Sequence, residues 1–340
     1  MTRMTRMTRM TRMTRMTRMT PMVPTPTTPN VSTTETQLQL DIVQQPDGSY
    51  AISGFDSFDL HATCQCGQAF RWVRVGDMGG IEEGIVEGHL LRLEQRGGKL
   101  IVHPPADRAA VDVVIRYFRL TDSHDAIERV LESVDDVMAA AVSASRGLRL
   151  VAQHPWECLI SYILSANNSV QQISRVVENL SYAYGEPTAG DGPHYSPRRA
   201  FPTPEALARC GECDVRSCKA GFRARGVCEA AQRVAYGHLD LSALRRLPTH
   251  QARNKLMELR GVGNKVADCV LLFSLDRFEV FPVDVWIGRA VRRLYFGGEP
   301  APLARIREFA STRFGPLAGY AQEYLFNYAR KHIPEILRAD

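Results

Sequence analysis

A chain of 340 residues, 44% of them hydrophobic, is long enough for two domains and a sizeable core. Its formal charge of +5 misleads: six of the 42 basic residues, Arg3, Arg6, Arg9, Arg12, Arg15 and Arg18, lie in an N-terminal repeat, and without them 36 bases face 37 acids. That balance excludes a globally basic nucleic-acid coat, so affinity for a polyanion must come from local clusters, and the lack of an apolar run of spanning length excludes a membrane span.

Residues 1–20 repeat Met-Thr-Arg, and Pro21, Pro24, Pro26 and Pro29 follow among threonines. A period of three suits no packed helix or strand face, so residues 1–37 are expected to be disordered. A misassigned start, a loose polycationic arm and an organelle-targeting segment all fit this stretch. The first is preferred, because so strict a repeat is unlike a targeting peptide. Residues 38–106 read as an antiparallel β-sheet domain. Its short, mostly alternating runs are 58–62, 69–75, 84–88, 89–93 and 99–102, parted by glycine turns such as Gly79-Gly80 and Gly97-Gly98. Gly67, within Cys66-Gly67-Gln68-Ala69-Phe70-Arg71-Trp72, reads by itself as a bulge or turn glycine.

Residues 107–340 read as helices. Val111, Val114, Ile115 and Phe118 form one apolar stripe. Trp156, Leu159, Ile160, Ile163 and Leu164, spaced i, i+3, i+4, i+7 and i+8 behind Pro155, form another. These stripes are core. The second runs into the polar break Ser165-Ala166-Asn167-Asn168-Ser169, where a helix cap is the plain reading. Residues 185–204 are rich in Pro and Gly and read as a loop. Arg216, Lys219, Arg223 and Arg225 then place four cations within ten residues, with no acid between Asp214 and Glu229. This is the local basic cluster that a near-neutral core requires for nucleic acid. The eight cysteines, with no signal peptide, suggest reduced thiols in a cytosolic protein. Cys210, Cys213, Cys218 and Cys228 have a spacing that zinc or an iron–sulfur cluster could use, but ordinary thiols in helices are preferred.

The most informative stretch comes next. Residues 254–259 read as the end of a short helix and 264–275 as a second one, with Val266, Val270 and Phe273 on one buried face. Gly261-Val262-Gly263 lies between. Glycines there permit positive φ and close approach of a ligand to the backbone. Amides at the mouth of a helix favour an anion, so the turn reads as a phosphate seat with Lys265 beside it. A tight helix-to-helix turn explains the glycines alone equally well. Asp284 precedes Ile287, Val291 and Leu294 at helical spacing, where it would cap a helix. Cys269 lies one turn beyond Lys265 on the same face.

Read whole, Gly261-Val262-Gly263-Asn264-Lys265-Val266-Ala267-Asp268-Cys269 followed by Val280-Phe281-Pro282-Val283-Asp284-Val285 resembles the helix-hairpin-helix signature of the 8-oxoguanine DNA glycosylase/AP lyase family. Cys66 to Trp72, Pro155 to Asn168, Gly221 to Arg225, and the run from Gly315 through Gln322 to Phe326 resemble further segments of that family. The resemblance covers roughly residues 58–330. It implies an α+β fold: an antiparallel sheet domain, then a two-lobed all-helical domain with the lesion pocket between the lobes.

The resemblance also implies roles. Lys265 would attack the sugar carbon bearing the damaged base and form a Schiff base, and Asp284 would assist with the proton and stabilise the charge on the sugar. The Gly67 carbonyl would accept the N7–H that only the oxidised base carries. Cys269, Gln322 and Phe326 would complete the base pocket, with Phe326 stacking on the extruded base and Gln322 on its Watson–Crick edge. Asn167 would enter the gap left by the base, Phe222 would wedge into the stack, and Arg223, Gly261 and Gly263 would contact DNA. Gln172 and Trp286 stand where animal members have arginine and histidine, which places the chain in a bacterial- or archaeal-like branch. The expected partner is damaged duplex DNA and the expected state a monomer. No cofactor or metal is expected in the chemistry, although an alkali ion could sit between the hairpin carbonyls and a phosphate. The expected location is cytoplasmic in a bacterium and nuclear in a eukaryote. A glycosylase for another damaged purine, such as an alkylated one, is the alternative enzyme, and Lys265 argues against it. A non-catalytic DNA-binding module is the alternative of another class, and the presence of both Lys265 and Asp284 argues against that.

Overall fold

The computed structural model describes residues 37–76, 80–188 and 198–337. The Met-Thr-Arg stretch and part of the 185–204 loop lie outside them.

Six strands form one antiparallel sheet: β1 (Asp41–Gln44), β2 (Tyr50–Ser53), β3 (Val73–Val75), β4 (Ile81–Val86), β5 (His89–Arg96) and β6 (Lys99–His103), in the order β1-β2-β6-β5-β4-β3. Gly97 and Gly98 join β5 to β6 with φ of +57° and +74°, and Arg96 faces Lys99 across the turn. Two positive φ values in succession make the tight hairpin whose twist matches its strands.

Two expected strands depart from expectation, one wholly and one in part. Residues 58–62 were expected to pair, but Leu60–Gln65 is a helix, α1, whose N-cap Asp59 accepts from the Ala62 amide at 2.7 Å. A short apolar run is ambiguous by period, and here the cap decides. Of the 69–75 run only Val73–Val75 joins the sheet. The residues before it spend their polar groups on partners distant in sequence, as described below.

The helical part comprises α2 (Arg108–Tyr117), α3 (His124–Glu132), α4 (Asp136–Ser143), α5 (Pro155–Leu164), α6 (Val170–Tyr184), α7 (Pro204–Ala208), α8 (Glu212–Val215), α9 (Ala224–Ala235), α10 (Thr249–Met257), α11 (Asn264–Leu275), α12 (Val285–Tyr295), α13 (Leu303–Phe314) and α14 (Ala318–His332). The stripe Val111, Val114 and Phe118 of α2 does not enter the helical core. It covers the sheet, packing with Ile52, Leu93, Leu100 and Trp72. The other helices form two groups. α5 packs on α6, α9 and α11, and α10 on α11, while α14 packs on α4, α12 and α13. One apolar cluster runs through both groups. α11 is buried from Val266 to Leu275, on every side rather than on the single face expected. It is the central helix, and helices surround it.

Candidate active site

The site is built where α11 begins. Gly261 has φ +82°, a region that costs any residue with a Cβ. Gly263, the N-cap of α11, has an ordinary φ of −99°, and nothing lies within 4 Å of the place its Cβ would take. The two glycines therefore differ, although the same reasons applied to both in the sequence. The turn requires Gly261, whereas Gly263 keeps the helix mouth open to a ligand. The hairpin is braced on two sides. Arg253 Nε of α10 donates to Asp268 Oδ1 of α11 at 2.7 Å. On the other side, α9 approaches so closely that a Cβ on Gly226 would stand 2.7 Å from the Arg260 carbonyl oxygen.

Lys265, half-buried, occupies the first turn of α11. Its Nζ donates to Ser165 Oγ at 3.2 Å and lies 4.8 Å from the centre of the Tyr162 ring. Both partners come from the end of α5. Asp284 caps α12, accepting from the Ile287 amide at 2.8 Å. A helix start thus fixes each of the two groups. Their charges meet at two further side chains. Burial pushes the Cys269 thiol up to about 12, with the Lys265 charge opposing and the Asp284 charge reinforcing. Burial likewise pushes the Glu323 carboxyl up to about 7; the Cys66 hydrogen bond, Arg330 and Lys265 oppose it, and Asp284 reinforces it. Lys265 and Asp284 therefore both lie within electrostatic reach of Cys269 and Glu323. Tyr162, Ser165 and Glu323 were not singled out from the sequence. The only signal for Glu323 was a carboxylate directly after Gln322 in an otherwise apolar stretch.

Glu323 belongs to α14, which carries two more of the expected site residues. Gln322 is buried, and its Oε1 is buried without a hydrogen-bond partner. An unpaired buried polar atom costs about 1–3 kcal/mol, so its retention calls for a functional reason. Phe326, half-buried, lies one turn further on the same face. Gly67 has φ +104°. The residues after it are locked: Gln68 donates from Nε2 to the Thr63 and Arg149 carbonyls and accepts from the Val151 amide at Oε1. The Gln68 carbonyl accepts from Gln153 Nε2 at 2.7 Å and from the Tyr162 hydroxyl at 3.0 Å. Arg71 is tied to Glu178, and Trp72 donates to the Tyr117 hydroxyl. Tyr162 therefore touches both the Gly67 loop, through its hydroxyl, and the Lys265 amine, through its ring.

Known proteins resemble the chain over most of its length. The profile of the 8-oxoguanine DNA glycosylase N-terminal domain matches residues 53–159. That of the HhH-GPD superfamily base excision DNA repair protein matches residues 160–312. A probable N-glycosylase/DNA lyase of Methanothermobacter thermautotrophicus is 33% identical over 300 residues, covering 81% of this chain and 94% of that protein. The chain belongs to the 8-oxoguanine DNA glycosylase family. An Arabidopsis thaliana N-glycosylase/DNA lyase OGG1 is 29% identical over 78% of this chain and 76% of its own. The Clostridium acetobutylicum 8-oxoguanine glycosylase/lyase, crystallised with duplex DNA holding cytosine opposite 8-oxoguanine, superposes with a TM-score of 0.80. It is 31% identical and covers 88% of this chain and all of that one.

In this glycosylase the expected DNA-facing residues form a rim. Asn167 is exposed just beyond α5, with φ +49°. Phe222 is 66% exposed. Arg223 joins them: Nε donates to the Ala166 carbonyl at 2.7 Å, Nη2 to the Asn167 carbonyl at 2.8 Å, and the guanidinium lies 4.4 Å from the Phe222 ring centre. Arg223, expected as a DNA contact, thus links the Asn167 loop to the Phe222 ring. Of the other cations in the basic cluster, Arg216 pairs with Glu212. Among the described residues Lys219 and Arg225 are exposed and have no acidic partner. Trp286 stacks against Arg289 at 5.2 Å. Among the described residues no group of three His, Cys, Asp or Glu side chains could hold a metal ion, and no helix is long and apolar enough to cross a membrane.

Proposed function

We propose that the protein excises 8-oxoguanine from duplex DNA and nicks the strand, with Lys265 as nucleophile and Asp284 as its carboxylate partner. One observation carries this reading: the Lys265 amine stands at the mouth of the hairpin, and its charge and that of Asp284 both act on the buried Cys269 and Glu323. The neutral amine attacks C1′ of the damaged nucleotide. The N-glycosidic bond breaks, the base leaves with the bonding pair and takes up a proton, and the sugar opens to a Schiff base on Nζ. Loss of a C2′ proton then expels the 3′ phosphate and cuts the strand. Asp284 balances the positive charge that develops on the sugar. In the base pocket, Phe326 stacks on the extruded ring, Gln322 Oε1 accepts from its Watson–Crick edge, and the Gly67 carbonyl accepts from N7–H. Guanine lacks that N7 proton and would set two acceptors against each other, which a closed pocket penalises. The amides at the Gly261–Gly263 turn hold a phosphate.

Borohydride trapping tests the reading on a duplex holding 8-oxoguanine opposite cytosine. The wild type gives a covalent complex and Lys265→Gln gives none. Release of free base without trapping would refute the lysine mechanism. No product from this duplex, with product from one carrying an alkylated purine, would refute the substrate. The working unit is a monomer, and elution from a sizing column at the 38.0 kDa chain mass is the expected result.

A further inference from the structure

Three of the four carbonyls around Gly67 are taken. Arg330 Nη2 donates to the Gln65 carbonyl at 3.2 Å and Arg330 Nη1 to the Cys66 carbonyl at 3.1 Å. Gln153 and Tyr162 take the Gln68 carbonyl. Among the described residues none donates to the carbonyl of Gly67 itself. Gly67, at φ +104°, has no Cβ to restrict its backbone, so its own conformational preference does not aim that carbonyl. The clamps on either side of it do.

The upstream clamp comes from a telling place. Gln322, Phe326 and Arg330 are spaced by four and lie on one face of α14. The helix that carries two walls of the base pocket therefore also holds the third. Arg330 is itself held, donating to Asn327 Oδ1 at 3.1 Å, while Asn327 Nδ2 donates to Ser145 Oγ at 2.7 Å. Glu323, on the adjoining face, is buried next to Cys66 and feels the Arg330 charge.

We propose that Arg330 is a positioning residue for lesion recognition: by pinning the Gln65 and Cys66 carbonyls to α14, it fixes the Gly67 carbonyl relative to Gln322 and Phe326. Arg330 does not touch the base. It sets the width of the slot in which the base is read. Without it, two carbonyls lose their donor, and the Gly67 peptide is free to rotate away from the N7 proton. This inference rests on the 8-oxoguanine reading above.

The lyase step supplies the control, because an abasic site has no base to read. Single-turnover base release from an 8-oxoguanine:cytosine duplex and nicking of an abasic duplex are measured for wild type, Arg330→Met and Arg330→Lys. Loss of aim in a closed pocket predicts base release roughly 30- to 100-fold slower in Arg330→Met, with nicking within about twofold of wild type. Arg330→Lys keeps a single donor nitrogen where the guanidinium has a fork, and is expected between the two, about 3- to 10-fold down. If Arg330→Met fails to fold, the ratio of the two rates in Arg330→Lys decides. Equal loss of both activities would reduce Arg330 to a docking residue and overturn the proposal, as would base release unchanged in either variant. A wild type that nicks the abasic duplex but releases no 8-oxoguanine would instead overturn the substrate reading.

Discussion

The two walls of the proposed site are held in different ways. On the reaction wall, Lys265 and Asp284 each sit at the start of a helix, and the main chain of that helix fixes them. On the reading wall, Gly67 lies in irregular chain, and its neighbours are fixed by side chains up to 265 residues away. A helix terminus is a stiff local mount that few residues specify. A clamped loop can be re-aimed by one distant substitution. Chemistry common to many lesions suits the first, and discrimination between lesions suits the second.

Removing the nucleophile is the strongest way to separate the walls. Lys265→Gln is expected to lower both base release and nicking by about a thousandfold or more, since a nucleophile has no substitute in its site. The lost contacts are one hydrogen bond to Ser165 and one ring contact, so stability should stay within about 1 kcal/mol by urea unfolding. An excision rate that survives the change would mean that the reaction wall lies elsewhere.

The two walls also differ in how far the sequence betrays them. The α11 boundaries, the Asp284 cap and the lysine beside the glycine turn are all written in short contiguous strings, because helix starts are local. The sheet was legible in β4, β5 and β6 through their alternation and the Gly97-Gly98 turn, but β1 and β2 lie outside the runs singled out, 58–62 turned helical on a single cap and most of 69–75 left the ladder. That second stretch shows why. Gln68, Arg71 and Trp72 bond to Arg149, Glu178 and Tyr117, and no local pattern announces such partners. Arg330 and Tyr162 were invisible for the same reason. Arg223 was legible as a cation but not as a bracket, since composition records a charge and not where its donors point.

Glu323 connects the walls and gives them a pH signature. Its carboxyl is raised from 4.5 to about 7, first by burial. The folded protein therefore keeps the proton through a range in which the unfolded chain has lost it. Stability from this group is full below pH 4.5 and is lost as pH rises to 7, by about 3 kcal/mol at most from 1.36 kcal/mol per unit. Glu157, also raised to about 7 chiefly by burial, acts in the same direction. Urea unfolding at pH 5 and pH 8 should show Glu323→Gln losing less stability across that interval than wild type. An identical loss in the two proteins would show that Glu323 does not titrate there.

On the reading wall, Gln322→Leu separates stability from function. The buried Oε1 has no partner, so removing it should leave the melting temperature unchanged or raise it. Excision of 8-oxoguanine should fall about 10- to 100-fold as a polar contact to the base is lost, and abasic nicking should persist. A drop in melting temperature together with both activities would make Gln322 a packing residue instead.

The smallest effect is the sharpest on the reaction wall itself, because it divides one motif in two. Gly261→Ala must place a Cβ at φ +82° and should cost about 1–2 kcal/mol of stability. Gly263→Ala meets open space at an ordinary φ, and should change stability by only a few tenths of a kcal/mol. Its new methyl group projects at the mouth of α11, where the amides are to meet a phosphate. Gly263→Ala should therefore weaken binding to an undamaged duplex several-fold while its melting curve stays on that of wild type. If both variants lose stability alike and Gly263→Ala binds DNA normally, the open mouth of α11 is merely a turn, and the phosphate must be held by Lys219 and Arg225 instead.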